Sequence, residues 1–238
     1  MQNKKIPFHE SVLRLFFPPR CISCDCLLHI SAEAALCRDC EQDIPVLKKR
    51  EFSNPAGASI GTIYSAFDYE RGIRKAVHNL KFNDRPGNAA VLIDLALPRI
   101  KHFIFDEHPP CADSPKYDII IPVPIHFRRK RQRGYNQSEL LAKNLAKQAK
   151  IAFSVKILEK SLNTPPQSSL GRGERLRNLM EAFRVKHPEL ISGKRVLLVD
   201  DVMTTGSTLE HCGRVLLEAG AAQVDAFVVA VRRKVQVE

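Results

Sequence analysis

The chain contains no tryptophan, and aromatic residues make up only 7% of it. Few planar side chains are therefore available for stacking on bases. No apolar run approaches the length of a membrane span, so no membrane insertion is expected. Residues 8–17 are apolar but interrupted by His9, Glu10 and Arg14. That makes a poor export signal and reads better as an amphipathic helix ending at Pro18-Pro19. Without an export signal, the seven cysteines are expected in the reducing cytoplasm, where paired spacing means metal more often than disulfide. Neither Gly-x4-Gly-Lys-Ser/Thr nor Gly-x-Gly-x2-Gly occurs, so the chain carries no P-loop and no dinucleotide fingerprint. There is no internal repeat. Acidic residues are outnumbered, 26 against 37 lysines and arginines, for a formal charge of +11. That balance favours an anionic partner, either a phosphorylated small molecule or nucleic acid.

A length of 238 residues holds one α/β domain and a small accessory module. The module is marked by Cys21-x2-Cys24 and Cys37-x2-Cys40. Two such knuckles place four thiolates around one Zn²⁺ in a closed, structural site, with iron as the other metal of this pattern. Cys26 is a fifth sulfur and a competitor, although the four paired cysteines have the cleaner symmetry. A module of this size has almost no core and depends on its metal to fold. We place it, with the preceding helix, in residues 1–50, and the α/β domain in residues 51–238. Residues 41–59, with Pro45, Pro55 and Gly57, suit a linker.

The stretch that organises the larger domain is residues 195–208, RVLLVDDVMTTGST. Val196 to Val199 form an apolar run of the length and branching of a buried parallel strand. Two adjacent carboxylates, Asp200 and Asp201, lead into Thr204, Thr205, Gly206, Ser207 and Thr208, after which Leu209, Cys212 and Leu216 recur at helical spacing. Strand, acid pair, hydroxyl-rich turn and helix describe a cradle for a sugar phosphate. Amide groups at the helix start face the anion, and Gly206 lets the backbone approach closely. The two aspartates suit vicinal hydroxyls or water on Mg²⁺. A general acid–base pair, or a turn that merely caps its helix, is the competing reading.

Other segments alternate strand and helix. Residues 61–69 and 117–123 read as strands, residues 71–82, 88–100 and 137–150 as helices, and residues 156–160 and 224–231 as further strands. Such alternation indicates a parallel sheet flanked by helices. Arg128, Arg129, Lys130, Arg131 and Arg133 follow the strand ending Pro122-Val123-Pro124. Ligands of open α/β sheets gather beyond the carboxyl ends of strands, so this cluster suits an anion, the alternative being a solvated loop. Residues 164–177 are polar, with prolines and glycines, and read as a functional loop. His78 and Cys111 are assigned no role.

Residues 196–208 resemble the phosphoribosyl pyrophosphate (PRPP) signature of type I phosphoribosyltransferases. Further segments narrow the resemblance to the competence protein F (ComF) family, including its relative GntX. They are Pro18-Pro19-Arg20-Cys21 with the cysteine knuckles, Leu80-Lys81-Phe82, Pro122-Val123-Pro124 and Arg133-Gly134-Tyr135-Asn136-Gln137. Thr164-Pro165-Pro166-Gln167 and Arg175-x2-Asn178-x3-Ala182-Phe183 complete it. The resemblance implies a phosphoribosyltransferase-like sheet with a double zinc ribbon type amino terminus. It implies that Asp200 and Asp201 contact the ribose hydroxyls and that Thr204 to Thr208 hold the 5′-phosphate. Arg128, Arg129 and Lys81 would line the pyrophosphate side. Arg172 and Arg175 would clamp pyrophosphate from a closing loop. Two places loosen the pattern: Asn83-Asp84-Arg85 stands where a small glycine-containing loop is expected, and Gly171 and Gly173 flank Arg172.

Two functions compete on these grounds. One is a PRPP-recognising protein that handles single-stranded DNA, with DNA-processing proteins as partners, in natural transformation or DNA utilisation. The basic residues from Arg128 to Arg133 would then track a phosphate backbone. The other is an enzyme that transfers phosphoribose from PRPP, with Mg²⁺, to an unidentified base. A plainer option leaves the zinc module as a protein-interaction surface and the basic cluster for pyrophosphate alone.

Overall fold

The computed structural model describes residue 14 and residues 16–32, 35–105, 114–161 and 182–232. In chain order its elements are α1 (Arg38–Gln42), β1 (Glu51–Phe52), β2 (Ile63–Asp68), α2 (Arg71–Phe82) and α3 (Asn88–Ile104). Then come β3 (Ile119–Pro122), α4 (Phe127–Arg133), α5 (Gln137–Ala149), β4 (Ala152–Phe153) and β5 (Leu158–Lys160). The last are β6 (Phe183–Val185), β7 (Arg195–Met203), α6 (Ser207–Glu218) and β8 (Gln223–Val231). The larger sheet has the order β1-β2-β8-β7-β3-β4. Every pairing in it is parallel except that of β1 with β2. Strands β5 and β6 form a separate antiparallel pair.

β7 lies at the middle of the sheet because both of its faces are apolar. Leu197 and Val199 join the core beneath α2, α3 and α5. Val196 and Leu198 join the opposite core, with Leu209, Cys212 and Leu216 of α6 and Phe183 of β6. Alternation with period two sends neighbours to opposite layers, and each fully buried side chain of this kind contributes about 1.5–3 kcal/mol. The parallel, helix-flanked sheet read from the sequence is what the chain forms.

Three local expectations change. Residues 41–59 are not a free linker. Leu47 donates its N–H to Ala66 O at 3.2 Å, and β1 pairs with β2. Asn54 Nδ2 donates to Glu210 Oε2 at 2.9 Å and Ser59 N to Glu210 Oε1 at 3.1 Å, on α6. Pro55 and Gly57 belong to a turn closed by the Gly57 N–H on Asn54 O, and Pro45 O accepts the Asp68 N–H at 2.9 Å; such composition does not reveal whether a stretch is docked. The helix expected to end at residue 100 continues to Ile104 through Pro98. Burial of Ile100, Phe103 and Ile104 offsets the lost backbone hydrogen bond. The basic cluster is a short helix, α4, rather than a loop. His126 Nδ1 accepts the Arg128 N–H at its start, and Gly134 closes it at φ 80°. The expected helix over residues 8–17 lies mostly outside the described residues, of which 14 and 16 are helical.

Candidate functional site

The amino-terminal module is built around sulfur. The Sγ atoms of Cys21, Cys24, Cys37 and Cys40 all lie within 4.8 Å of one another, and those of Cys24 and Cys37 are 3.7 Å apart. Zn–S bonds of about 2.3 Å at tetrahedral angles separate sulfurs by about 3.8 Å, so the four thiols fit one structural Zn²⁺. Cys26 is not among them. The module is seated on the larger domain by Asn79 Nδ2 donating to Ile22 O at 3.1 Å and by an Arg85–Asp25 ion pair at 3.2 Å.

The acid pair sits where β7 nears its carboxyl end. Asp201 is 4% exposed. Lys81, at the end of α2, brings its Nζ to 2.8 Å from Asp201 Oδ1, whereas the buried Asp201 Oδ2 has no hydrogen-bond partner. Asp200 Oδ1 accepts the Ser138 hydroxyl at 2.7 Å and the Asp201 N–H at 2.9 Å. Burial, and after it the charge of Asp201, push the Asp200 carboxyl up to about 7, against those two hydrogen bonds and the charge of Lys81. A buried acceptor left open beside a lysine is a costly arrangement in a protein interior and calls for a ligand.

The hydroxyl-rich turn follows directly. Gly206 takes φ 77° ahead of α6, a conformation that disfavours any side chain. A Cβ there would also lie 2.0 Å from Asn54 Oδ1. No side chain caps the start of α6, so its first amide groups remain available to an anion. Thr204, Thr205 and Thr208 are exposed, and the hydroxyls of Thr205 and Ser207 stand 3.1 Å apart.

The basic cluster divides. Arg129, Arg131 and Arg133 line a cleft of about 950 Å³ together with Lys81, Phe82 and Tyr135. Lys130 turns away and pairs with Glu139 at 2.8 Å. Arg128 lies over the exposed ring of Phe127, 6.0 Å from its centroid. Arg172 and Arg175 lie outside the described residues, as does the whole loop over residues 164–177. The ends of that segment are held together, since Ser161 N donates to Ala182 O at 2.9 Å beside the β5–β6 pair.

Several site residues escaped the sequence reading. Ser138 and Asn136 begin α5 and are almost fully buried. Asn136 Oδ1 accepts the Ser138 N–H, while its Nδ2 donates to Val123 O at 3.0 Å, tying the Pro122–Pro124 turn to the acid pair. The capping residue at position 136 is a visible signal; its reach to β7 is not. Lys160 also faces this region. Burial first, and then the nearby Arg129, push its ammonium below the usual lysine range.

Residues 136–238 match the family model of the phosphoribosyl transferase domain. Residues 12–52 match that of the double zinc ribbon domain. With the acid pair and hydroxyl turn closing a parallel sheet, these define a protein with the type I phosphoribosyltransferase fold and an amino-terminal zinc ribbon. The DNA utilization protein YhgH of Salmonella typhi is 35% identical over 69% of this chain and 70% of its own length. Competence protein F of Haemophilus influenzae is 27% identical over 90% of this chain and 98% of its own. Competence protein ComFC of Bacillus subtilis is 34% identical over 48% and 45%. The chain belongs to the competence protein F (ComF) family.

Proposed function

We propose that this protein binds PRPP with Mg²⁺ at the carboxyl end of β7 and acts in the uptake or utilisation of DNA by handling single strands in the cytoplasm. The observation that carries the ligand is the Asp200–Asp201 pair, half-buried at Asp200 and buried at Asp201 with one carboxylate oxygen unpartnered, set immediately before the uncapped helix start of α6. In this reading Asp200 and Asp201 receive the ribose 2′- and 3′-hydroxyls, and Thr204 to Thr208 with Gly206 hold the 5′-phosphate. Ser138 and Lys81 orient the two carboxylates. Arg128, Arg129 and Lys81, with Arg172 and Arg175, face pyrophosphate. The open carboxylate oxygen fits a hydrated Mg²⁺, which when bound would neutralise phosphate charge. The DNA role draws on the family and on the basic surface, with residues 1–50 as a zinc-dependent module and residues 51–238 as the ligand-binding domain.

A second reading is favoured by the cleft beside Lys81, which has room for an acceptor. Here the protein transfers phosphoribose: the bond from ribose C1 to the pyrophosphate oxygen breaks, its electron pair leaves with pyrophosphate, and a ring nitrogen of a base bonds to C1 while its N–H proton passes to water. The basic residues stabilise the charge on the departing group.

Calorimetric titration of PRPP with Mg²⁺ should give heat with the wild type and none with Asp200→Asn/Asp201→Asn; absence of heat from the wild type would sink the ligand assignment. Pyrophosphate release from PRPP, measured across a panel of nucleobases with and without single-stranded DNA, separates binding from transfer. Cys37→Ser/Cys40→Ser should lose its stoichiometric zinc; unchanged metal content would exclude these ligands.

A further inference from the structure

Helix α2 has a buried face of Ile73, Ala76, Val77 and Leu80, and none of its 12 residues is acidic. Its outer face exposes Arg71, Arg74, Lys75, His78 and Phe82. Three cations therefore stand in its first five residues, at the positive end of the helix dipole, where acids stabilise and cations weaken a helix. Arg71 is paired with Asp43 and sits at φ 43°, which few non-glycine residues adopt. Arg74 and Lys75 have no carboxylate partner among the described residues. Such placement costs stability without an anion to repay it.

The two ends of this face meet two different features. At its start, Arg74, Lys75 and His78 form one wall of a groove of about 600 Å³ whose other wall is Ser23, Cys24 and Asp25 of the first cysteine knuckle. At its end, Phe82 is 59% exposed. The Arg133 guanidinium lies 4.8 Å over its ring, the His78 ring is 4.9 Å away, and the adjacent Lys81, which pairs with Asp201, lines the same cleft as Phe82.

We infer that the outer face of α2 is a track for single-stranded nucleic acid, leading from the zinc knuckle to the cleft beside Lys81, with phosphates on Arg74 and Lys75 and a base stacked on Phe82. This rests on the DNA part of the proposed function and adds to α4 a second surface, which meets it at Phe82 and Arg133. The helix is about 18 Å long, with Arg74 and Lys75 near its start and Phe82 at its end, a span longer than one pyrophosphate that suits a chain of several nucleotides. An exposed ring at the end of a basic stripe receives an unpaired base, whose face a duplex hides.

The test uses the zinc-loaded full chain and a fluorescent oligothymidylate, with binding followed by anisotropy at several salt concentrations and PRPP calorimetry run in parallel. Arg74→Glu/Lys75→Glu is expected to weaken oligonucleotide binding at least tenfold. It should also flatten the log–log salt dependence by about 1.4, roughly 0.7 for each phosphate that is no longer neutralised, while PRPP heat is retained. Phe82→Ala should weaken binding about fivefold or more with the salt slope unchanged. Wild-type affinity in the charge-reversed variant overturns the track and leaves the PRPP and DNA readings standing. No binding by the wild type overturns the track together with the DNA reading, but not the PRPP reading. Equal binding of a duplex, with no effect of Phe82→Ala, overturns the single-strand assignment.

Discussion

Strands β7 and β8 lie side by side, yet their opposite ends treat a buried acid in opposite ways. Near the amino end of β8, Asp225 is 2% exposed. It accepts Thr62 N at 2.8 Å, Tyr117 Oη at 2.8 Å and Gln223 Nε2 at 2.7 Å. Burial pushes the Tyr117 hydroxyl well above its usual range, which keeps it a donor. Near the carboxyl end of β7, Asp201 is 4% exposed, has Lys81 on one oxygen, and has nothing on the other. Its neighbour Asp200 is pushed toward the neutral acid. Both ends remove carboxyls from water. The amino end saturates its acceptors within the protein and so contributes stability. The carboxyl end leaves acceptor capacity open and so contributes a site.

The most severe disruption of this contrast is at its saturated end. Asp225→Ala leaves the buried Tyr117 hydroxyl and the half-buried Thr62 amide without their acceptor and should cost roughly 3–4 kcal/mol in urea unfolding. PRPP binding by the molecules that still fold should be unchanged. A loss below 1 kcal/mol would show that the network is not structural.

Lys81→Met acts at the open end. It leaves Asp201 buried with neither oxygen paired by a charge, and should cost about 2–3 kcal/mol, less than a fully buried pair because Lys81 is partly exposed. PRPP heat should fall with it. A Lys81→Met variant as stable as the wild type would mean that Asp201 is already solvated.

Asp200→Asn probes the same end through pH. A carboxyl raised from 3.8 to about 7 in the folded state binds its proton more tightly there than in the unfolded chain. Its contribution to stability is therefore whole below pH 3.8, declines as pH rises, and is lost above about 7. Asparagine mimics the neutral acid and still accepts from Ser138. The variant should then equal the wild type near pH 4 and exceed it at pH 8 by about 1–2 kcal/mol, a figure discounted for partial exposure. Parallel pH profiles of the two urea midpoints would refute the raised value.

The smallest effect is expected at Lys130, whose pair with Glu139 is exposed. Lys130→Ala should cost less than about 1 kcal/mol and leave PRPP heat unaltered. A larger loss of PRPP binding would place Lys130 with Arg129, Arg131 and Arg133 in the cleft, contrary to the direction in which it turns.

Much of the site is legible in the sequence because its chemistry is contiguous. The acid pair, the hydroxyl turn and the cysteine knuckles are each short runs in which adjacent residue types name the ligand. Less legible is whatever reaches the site from a distance. Ser138 lies 62 positions from Asp200, and its hydroxyl looks like any helix-starting serine until α5 is laid against β7. Asn54 and Ser59 read as linker residues because turn-forming composition is the same for a free turn and a docked one. Glu210 on α6, which both of them touch, supplies the difference.

Local chemistry alone dictates the period-two burial of β7, the need for a positive φ at Gly206, the thiol set for zinc and the excess of cations. Those follow from the covalent nature of each residue and its immediate neighbours. Three-dimensional packing settles which aspartate keeps an open oxygen, that Lys81 meets Asp201, and that the charge on α2 runs from the zinc knuckle to the cleft. Solvation and pairing are set by whatever packs alongside in space, and that spans separations that no local pattern encodes.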